Sequence, residues 1–112
     1  MVELGDHAAH LELVFDPQTG RLTLYVLDGE GTGPIRLNQP HVTLVVGTEN
    51  EPVFVTLDAA GRVLTGERVG DSSEFRAVAP ALVGATSLDA RVETVTVRGQ
   101  TYDNIGIAWR AP

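Results

Sequence analysis

With 112 residues, 43% of them apolar and 21% charged, the chain has the size and composition of one globular domain with its own core, and it contains no apolar run near the ~20 residues that span a bilayer. Its 8 basic residues, all arginine, stand against 15 acidic ones for a formal net charge of -7; that sign repels phosphate and argues against nucleic acid or anionic membrane surfaces as partners. The absence of cysteine excludes disulfides, thiol nucleophiles, and zinc or iron-sulfur centres held by thiolates.

Apolar residues alternate with polar ones along most of the chain, the period of half-buried strands, whose successive side chains point to opposite faces. The pattern predicts a first long strand with Leu11, Leu13 and Phe15 facing inward and His10, Glu12 and Val14 outward. Asp16-Pro17-Gln18-Thr19-Gly20 reads as a hairpin turn, since Pro presets φ and Gly accepts the left-handed position. The return strand, 21–27, puts Leu22, Leu24 and Val26 on one side and Thr23 and Tyr25 on the other.

The Gly-rich stretch 28–34 reads as a surface loop, with a short edge strand at 35–37 before Pro40. Val42, Leu44 and Val46 mark the next strand, Glu49-Asn50-Glu51-Pro52 an acidic turn, and Val53, Val55 and Leu57 a strand that ends in a loop over 58–61. Val63 and Leu64 form a short apolar pair, 66–73 a polar loop, and 74–79 a further strand. Residues 80–84 are the one candidate helix, with room for barely one turn.

The last unit is a long hairpin, 88–98 and 101–110, around Gly99-Gln100, where Gly in the first turn position suits type II′. Its apolar stripe changes phase: Leu88, Ala90 and Val92 alternate in one register, Val95 and Val97 in the other. A face change is therefore expected near Glu93 and Thr94, with Val95, Val97 and Tyr102 covered by a loop or displaced by a bulge, loop cover being preferred. That turn would also pair Ala90 with Trp109 and Val92 with Ile107. The whole pattern predicts a single all-β domain over 1–112, an immunoglobulin-like antiparallel sandwich of about eight strands with at most one short helical turn near 80–84.

Chemistry-bearing residues are sparse. Ser72, Ser73 and Ser87 lie in no Gly-x-Ser-x-Gly turn, and no pair of carboxylates is placed for acid/base work, so no catalytic residues are assigned. The imidazoles His7, His10 and His41 are the candidate ligands for copper or zinc, with Glu12 sharing the face of His10. Against a common site, residues three apart on a strand face opposite sides; solvent-facing strand histidines are the plainer reading. The acidic turns at 28–30 and 49–51 lack the spacing of a calcium loop. Trp109 and Tyr25 could form a ligand platform, though Trp109 is in phase with Ile105 and Ile107 and so reads as core.

The segments Val2-Glu3-Leu4-Gly5-Asp6, His10-Leu11-Glu12-Leu13-Val14, 19–28 (Thr-Gly-Arg-Leu-Thr-Leu-Tyr-Val-Leu-Asp), Pro34-Ile35 and Gly99-Gln100-Thr101-Tyr102 resemble small exported bacterial β-sandwich domains, abundant in planctomycetes as predicted lipoproteins. These are similar to a domain associated with periplasmic adaptor subunits of heavy-metal efflux pumps. The resemblance implies an extracytoplasmic accessory or interaction domain, linked to metal efflux, that is not an enzyme. Members often carry a His- and Gly-rich lead-in and sometimes a His-rich tail; only His10 falls on a matching position here. A chain that is strand-like from its second residue also implies an upstream export segment. Another protein, received along an exposed sheet edge, is the expected partner.

Overall fold

A computed structural model describes residues 2–4 (as backbone), 9–28, 37, 39–47, 52–59, 73–97 and 99–111. The strands are β1 (Val2–Leu4), β2 (Ala9–Asp16), β3 (Arg21–Leu27), β4 (His41–Gly47), β5 (Val53–Ala59), β6 (Glu74–Val78), β7 (Ser87–Val97) and β8 (Gln100–Arg110), with a 3-10 turn at Pro80–Leu82. All pair antiparallel in the order β1-β2-β3-β6-β5-β4-β7-β8. The all-β, sandwich-like fold expected from the alternation is the one adopted.

The ladder is continuous, yet among the described residues it narrows between β6 and β5 to two residue pairs, Asp58↔Arg76 and Ala59↔Phe75. There the sheet turns a corner, leaving two four-stranded halves, β1-β2-β3-β6 and β5-β4-β7-β8, around one core. The inward residues of both halves belong to that core: Leu11, Leu22, Leu24 and Phe75 from the first, Val42, Leu44, Leu57 and Val92 from the second, all buried. Each such aliphatic or aromatic side chain contributes roughly 1.5–3 kcal/mol over exposure, enough to hold the halves together without disulfides. Phe15 of β2 meets Trp109 of β8 edge to face, with ring centroids 5.0 Å apart and planes at 78°. This contact joins the halves on the side away from the corner, where β8 comes back against β1 and β2.

The turn after β2 anchors the first half. Asp16 accepts from the Gln18 amide through Oδ1 at 3.0 Å and from the Gly20 amide through its carbonyl at 2.8 Å. Gly20 has φ +78°, and a Cβ there would lie 2.5 Å from the Ala79 carbonyl oxygen. The close approach is used: the Ala79 amide donates to the Gly20 carbonyl at 2.8 Å and the Gly84 amide to that of Pro17 at 2.9 Å. The end of β6 and the 3-10 turn are thereby pinned to the β2–β3 hairpin.

Three expectations are corrected. Asp58 and Ala59 continue β5 instead of opening a loop: Asp58 pairs with both His41 and Arg76, Ala59 pairs with Phe75, and the Ala59 amide donates to the Pro40 carbonyl at 2.9 Å. In the last hairpin Gln100 belongs to β8 and pairs with Val97, and Gly99, with φ +82°, lies in the turn just before it. Consequently Ala90 faces Ile107, Val92 faces Ile105, and Trp109 faces Leu88. The difference from the expected register is a slide of two residues, which keeps every side chain on its face and so leaves no trace in the apolar pattern. Cross-strand hydrogen bonds accompany the observed register, Thr96 Oγ1 with Thr101 Oγ1 and Thr94 Oγ1 donating to Asp103 Oδ1, both at 3.1 Å.

The third correction concerns the face change, which does fall at Glu93 and Thr94: Val92 and Val95 are buried and the two residues between them exposed. β8 does the same at Asp103 and Asn104, where Asn104 takes a left-handed φ of 56°. The ladder omits only the 93/104 pair and resumes in the same register. Both strands thus rotate together, and Val95 and Val97 re-enter the common core, with Tyr102 packed against it. The loops expected to cover this face lie outside the described residues. What lies before β4 contributes one clamp: the Gln39 amide donates to the carbonyls of Thr94 (3.2 Å) and His41 (3.1 Å) and accepts from the Thr96 amide (2.7 Å). Its side chain serves as a peptide group beside β7 where β4 no longer pairs with it. Leu37 is buried at an isolated bridge; residues 35, 36, 60–64 and 66–72, with the loop and strand expectations made for them, lie outside the described residues.

Candidate functional site

The histidines are dispersed. His7 lies outside the described residues. His10 is half-buried on the outer face of β2, opposite Leu27 of β3. Its Nδ1 lies 3.1 Å from the Asp28 carbonyl oxygen, which can only accept, so Nδ1 donates and a neutral ring carries its lone pair on Nε2. His41 is exposed at the start of β4, opposite Asp58. β3, β6 and β5 separate β2 from β4, which at about 4.8 Å per strand is about 19 Å of sheet. The fold does not bring His10 and His41 together, while Glu12 does share the outer face of β2 with His10. Among the described residues no three His, Cys, Asp or Glu side chains cluster as a metal cage would. Tyr25 and Trp109 also lie apart, Tyr25 beside Glu12 and Glu74 and Trp109 against Phe15. Of the acidic turns, only Asp28 is among the described residues.

The alternation placed a polar row that was not singled out from sequence. Glu74 and Arg76, two apart on β6, share the outer face, and the Arg76 guanidinium pairs with Glu74 Oε2. Glu74 is only 4% exposed, whereas over half of the Arg76 side chain is open to water. A buried carboxylate of this kind is held by charge-assisted hydrogen bonding. In the adjoining row, Arg76, Asp58 and His41 sit directly across from one another on β6, β5 and β4. These charges mark the corner where the halves join. The i, i+2 spacing of Glu74 and Arg76 would have revealed their common face; nothing in the sequence marks Gln39 as a clamp.

Beyond the corner, β5 and β6 part. β5 is paired to β4 along residues 53–58, but on the β6 side residues 53–57 have no strand partner among the described residues. The divergence opens a cleft of about 280 Å³, lined by residues 53–56 of β5 and 77–81 of β6 and the 3-10 turn. None of those residues is charged. Phe54 at its mouth is 67% exposed, an unusual state for a Phe, and Val78 on the other wall is 58% exposed. A free strand edge with an apolar mouth is the means by which sheets receive another strand. Sequence reasoning anticipated an open edge but not this one, because Val53, Val55 and Leu57 read as an ordinary half-buried strand.

A second, open depression of about 620 Å³ crosses the outer face of β4, β7 and β8, floored by Gly47, Gly106 and Ala108 beside Asp89 and Arg91. Asp89 accepts from Arg110 Nη2 at 3.5 Å, both side chains being well exposed, so the pair contributes little. Among the described residues no helix is long and apolar enough to cross a membrane. Comparison with protein-family models, with curated proteins and with solved structures found no match to this chain.

Proposed function

We propose that this domain is a non-enzymatic accessory or interaction module, working outside the cytoplasm and linked to metal efflux as its resemblance implies. The observation that supports the interaction reading is the open cleft between β5 and β6, where β5 backbone with no strand partner among the described residues and an exposed Phe54 lie side by side. Exposed backbone along a strand offers main-chain hydrogen bonds to a partner, and the apolar mouth offers contact area. The test is a photo-reactive benzoylphenylalanine placed in turn at positions 14, 54, 78 and 83, the exposed apolar sites, in the cells that make the protein. A discrete adduct in the envelope fraction supports the module; adducts from none of the four positions, or a protein confined to the cytosol, end this reading.

A second reading, a copper- or zinc-binding protein that uses His7, His10 and His41, draws support from His10 alone. Its Nδ1 is held by a backbone carbonyl, the arrangement that orients a ring to coordinate through Nε2. Titration with copper and with zinc, for the natural chain and for His10→Ala, decides it. Saturable binding that weakens on the substitution supports the site, and its absence at micromolar metal removes it.

A further inference from the structure

We infer that the cleft between β5 and β6 is a strand-addition slot whose occupant is a short, extended, uncharged apolar segment of another polypeptide. The inference rests on the interaction-module reading and names its partner by chemistry. Three features of the slot select that occupant.

The first is hydrogen bonding. Among the described residues, 53–57 of β5 pair with β4 on one side and with no strand on the other, so an incoming strand would find peptide groups there to bond. The second is shape. The slot is walled on its far side by residues 77–81 of this same chain, which the Gly20 and Pro17 carbonyls pin in place. An incoming sheet would bring its own neighbouring strands into that wall, whereas a lone extended segment would not. The third is charge. In a chain with net charge -7 and 21% charged residues, no lining residue is charged, so an Asp, Glu, Lys or Arg entering the slot would lose water without gaining a counter-ion. Segments rich in Val, Ile, Thr or Phe meet neither penalty and suit the extended backbone.

A second copy of this domain is disfavoured by the same features. Its β5 is walled by its own β6, and two copies at -7 each repel on approach. β8, the other long edge, comes back against β1 and β2 of the same chain, which limits access to it.

The experiment uses the isotope-labelled domain and three synthetic peptides with lysine-capped termini: a Val-Thr-Val-Ile-Val core, that core with Asp at its centre, and that core N-methylated at alternate amides. The first peptide is expected to shift amide signals of residues 53–57 and 77–79, with affinity in the micromolar range suited to a small interface. The Asp peptide and the variant Val78→Asp should each weaken binding by about tenfold or more; N-methylation should abolish it. Phe54→Ser, at an exposed position, checks the mouth independently of Val78. Equal binding of the N-methylated peptide overturns strand addition while leaving an interaction module in place. Signal shifts away from the slot, or none with any peptide, overturn the site. A concentration-dependent dimer that is lost in Phe54→Ser, seen by sedimentation, overturns the occupant in favour of a second copy.

Discussion

The two sides of β5 are built on different terms. Among the described residues it makes six pairs toward β4, from His41↔Asp58 to Val46↔Val53, and two toward β6. β4 and β5 are joined by a short connection, so closing their ladder costs little chain entropy, and both lie in the same half of the sandwich. β6 belongs to the other half, and a sheet that turns a corner cannot keep two strands parallel to each other over their full length. The outcome is one β5 edge committed to stability and another left available. A flat sheet of the same residues would have spent both.

Phe75→Ala should break this arrangement most severely. Phe75 is fully buried and pairs with Ala59 of β5 on one side and Leu24 of β3 on the other. Loss of its ring leaves a cavity, and a destabilisation of about 4 kcal/mol is expected in urea unfolding. Gly20→Ala acts from the far wall: a Cβ 2.5 Å from the Ala79 carbonyl oxygen and a φ of +78° together cost about 3 kcal/mol. Its distinguishing sign is faster hydrogen exchange at the Ala79 amide, which donates to Gly20.

Gln39→Ala sharpens the comparison by touching neither side of β5. It removes the amide that accepts from Thr96 and donates to Thr94, and about 1.5 kcal/mol should be lost. Exchange should quicken at the Thr96 amide while residues 53–57 are unchanged. Phe54→Ser is the smallest change: with 67% of the residue already exposed, the unfolding midpoint should hold within about 0.5 kcal/mol. A larger loss would mean that the available edge also carries the fold.

Much of the fold was legible because period-two patterning has a direct physical cause. Leu11, Leu13 and Phe15, and Leu22, Leu24 and Val26, are buried as their alternation requires, and the phase change at Glu93 and Thr94 was visible as a conflict between two apolar stripes. The candidate site was less legible. The histidines could be named but not positioned, since nothing local says how many strands will lie between His10 and His41. Phe54 falls on the outer face by its phase between Val53 and Val55, but nothing in that pattern says that β5 parts from β6 beside it.

The amino-acid order by itself determined which residues pair off into strands and which face each presents, since those follow from side-chain alternation and from turn residues such as Pro17 and Gly20. Only the tertiary structure decided register and adjacency. A two-residue slide in the last hairpin preserves every face, so the pairing of Val97 with Gln100 was settled by cross-strand contacts that the pattern does not encode. The open edge of β5 is of the same kind: two half-sheets close over one core, and among the described residues that closure leaves 53–57 with a strand partner on one side.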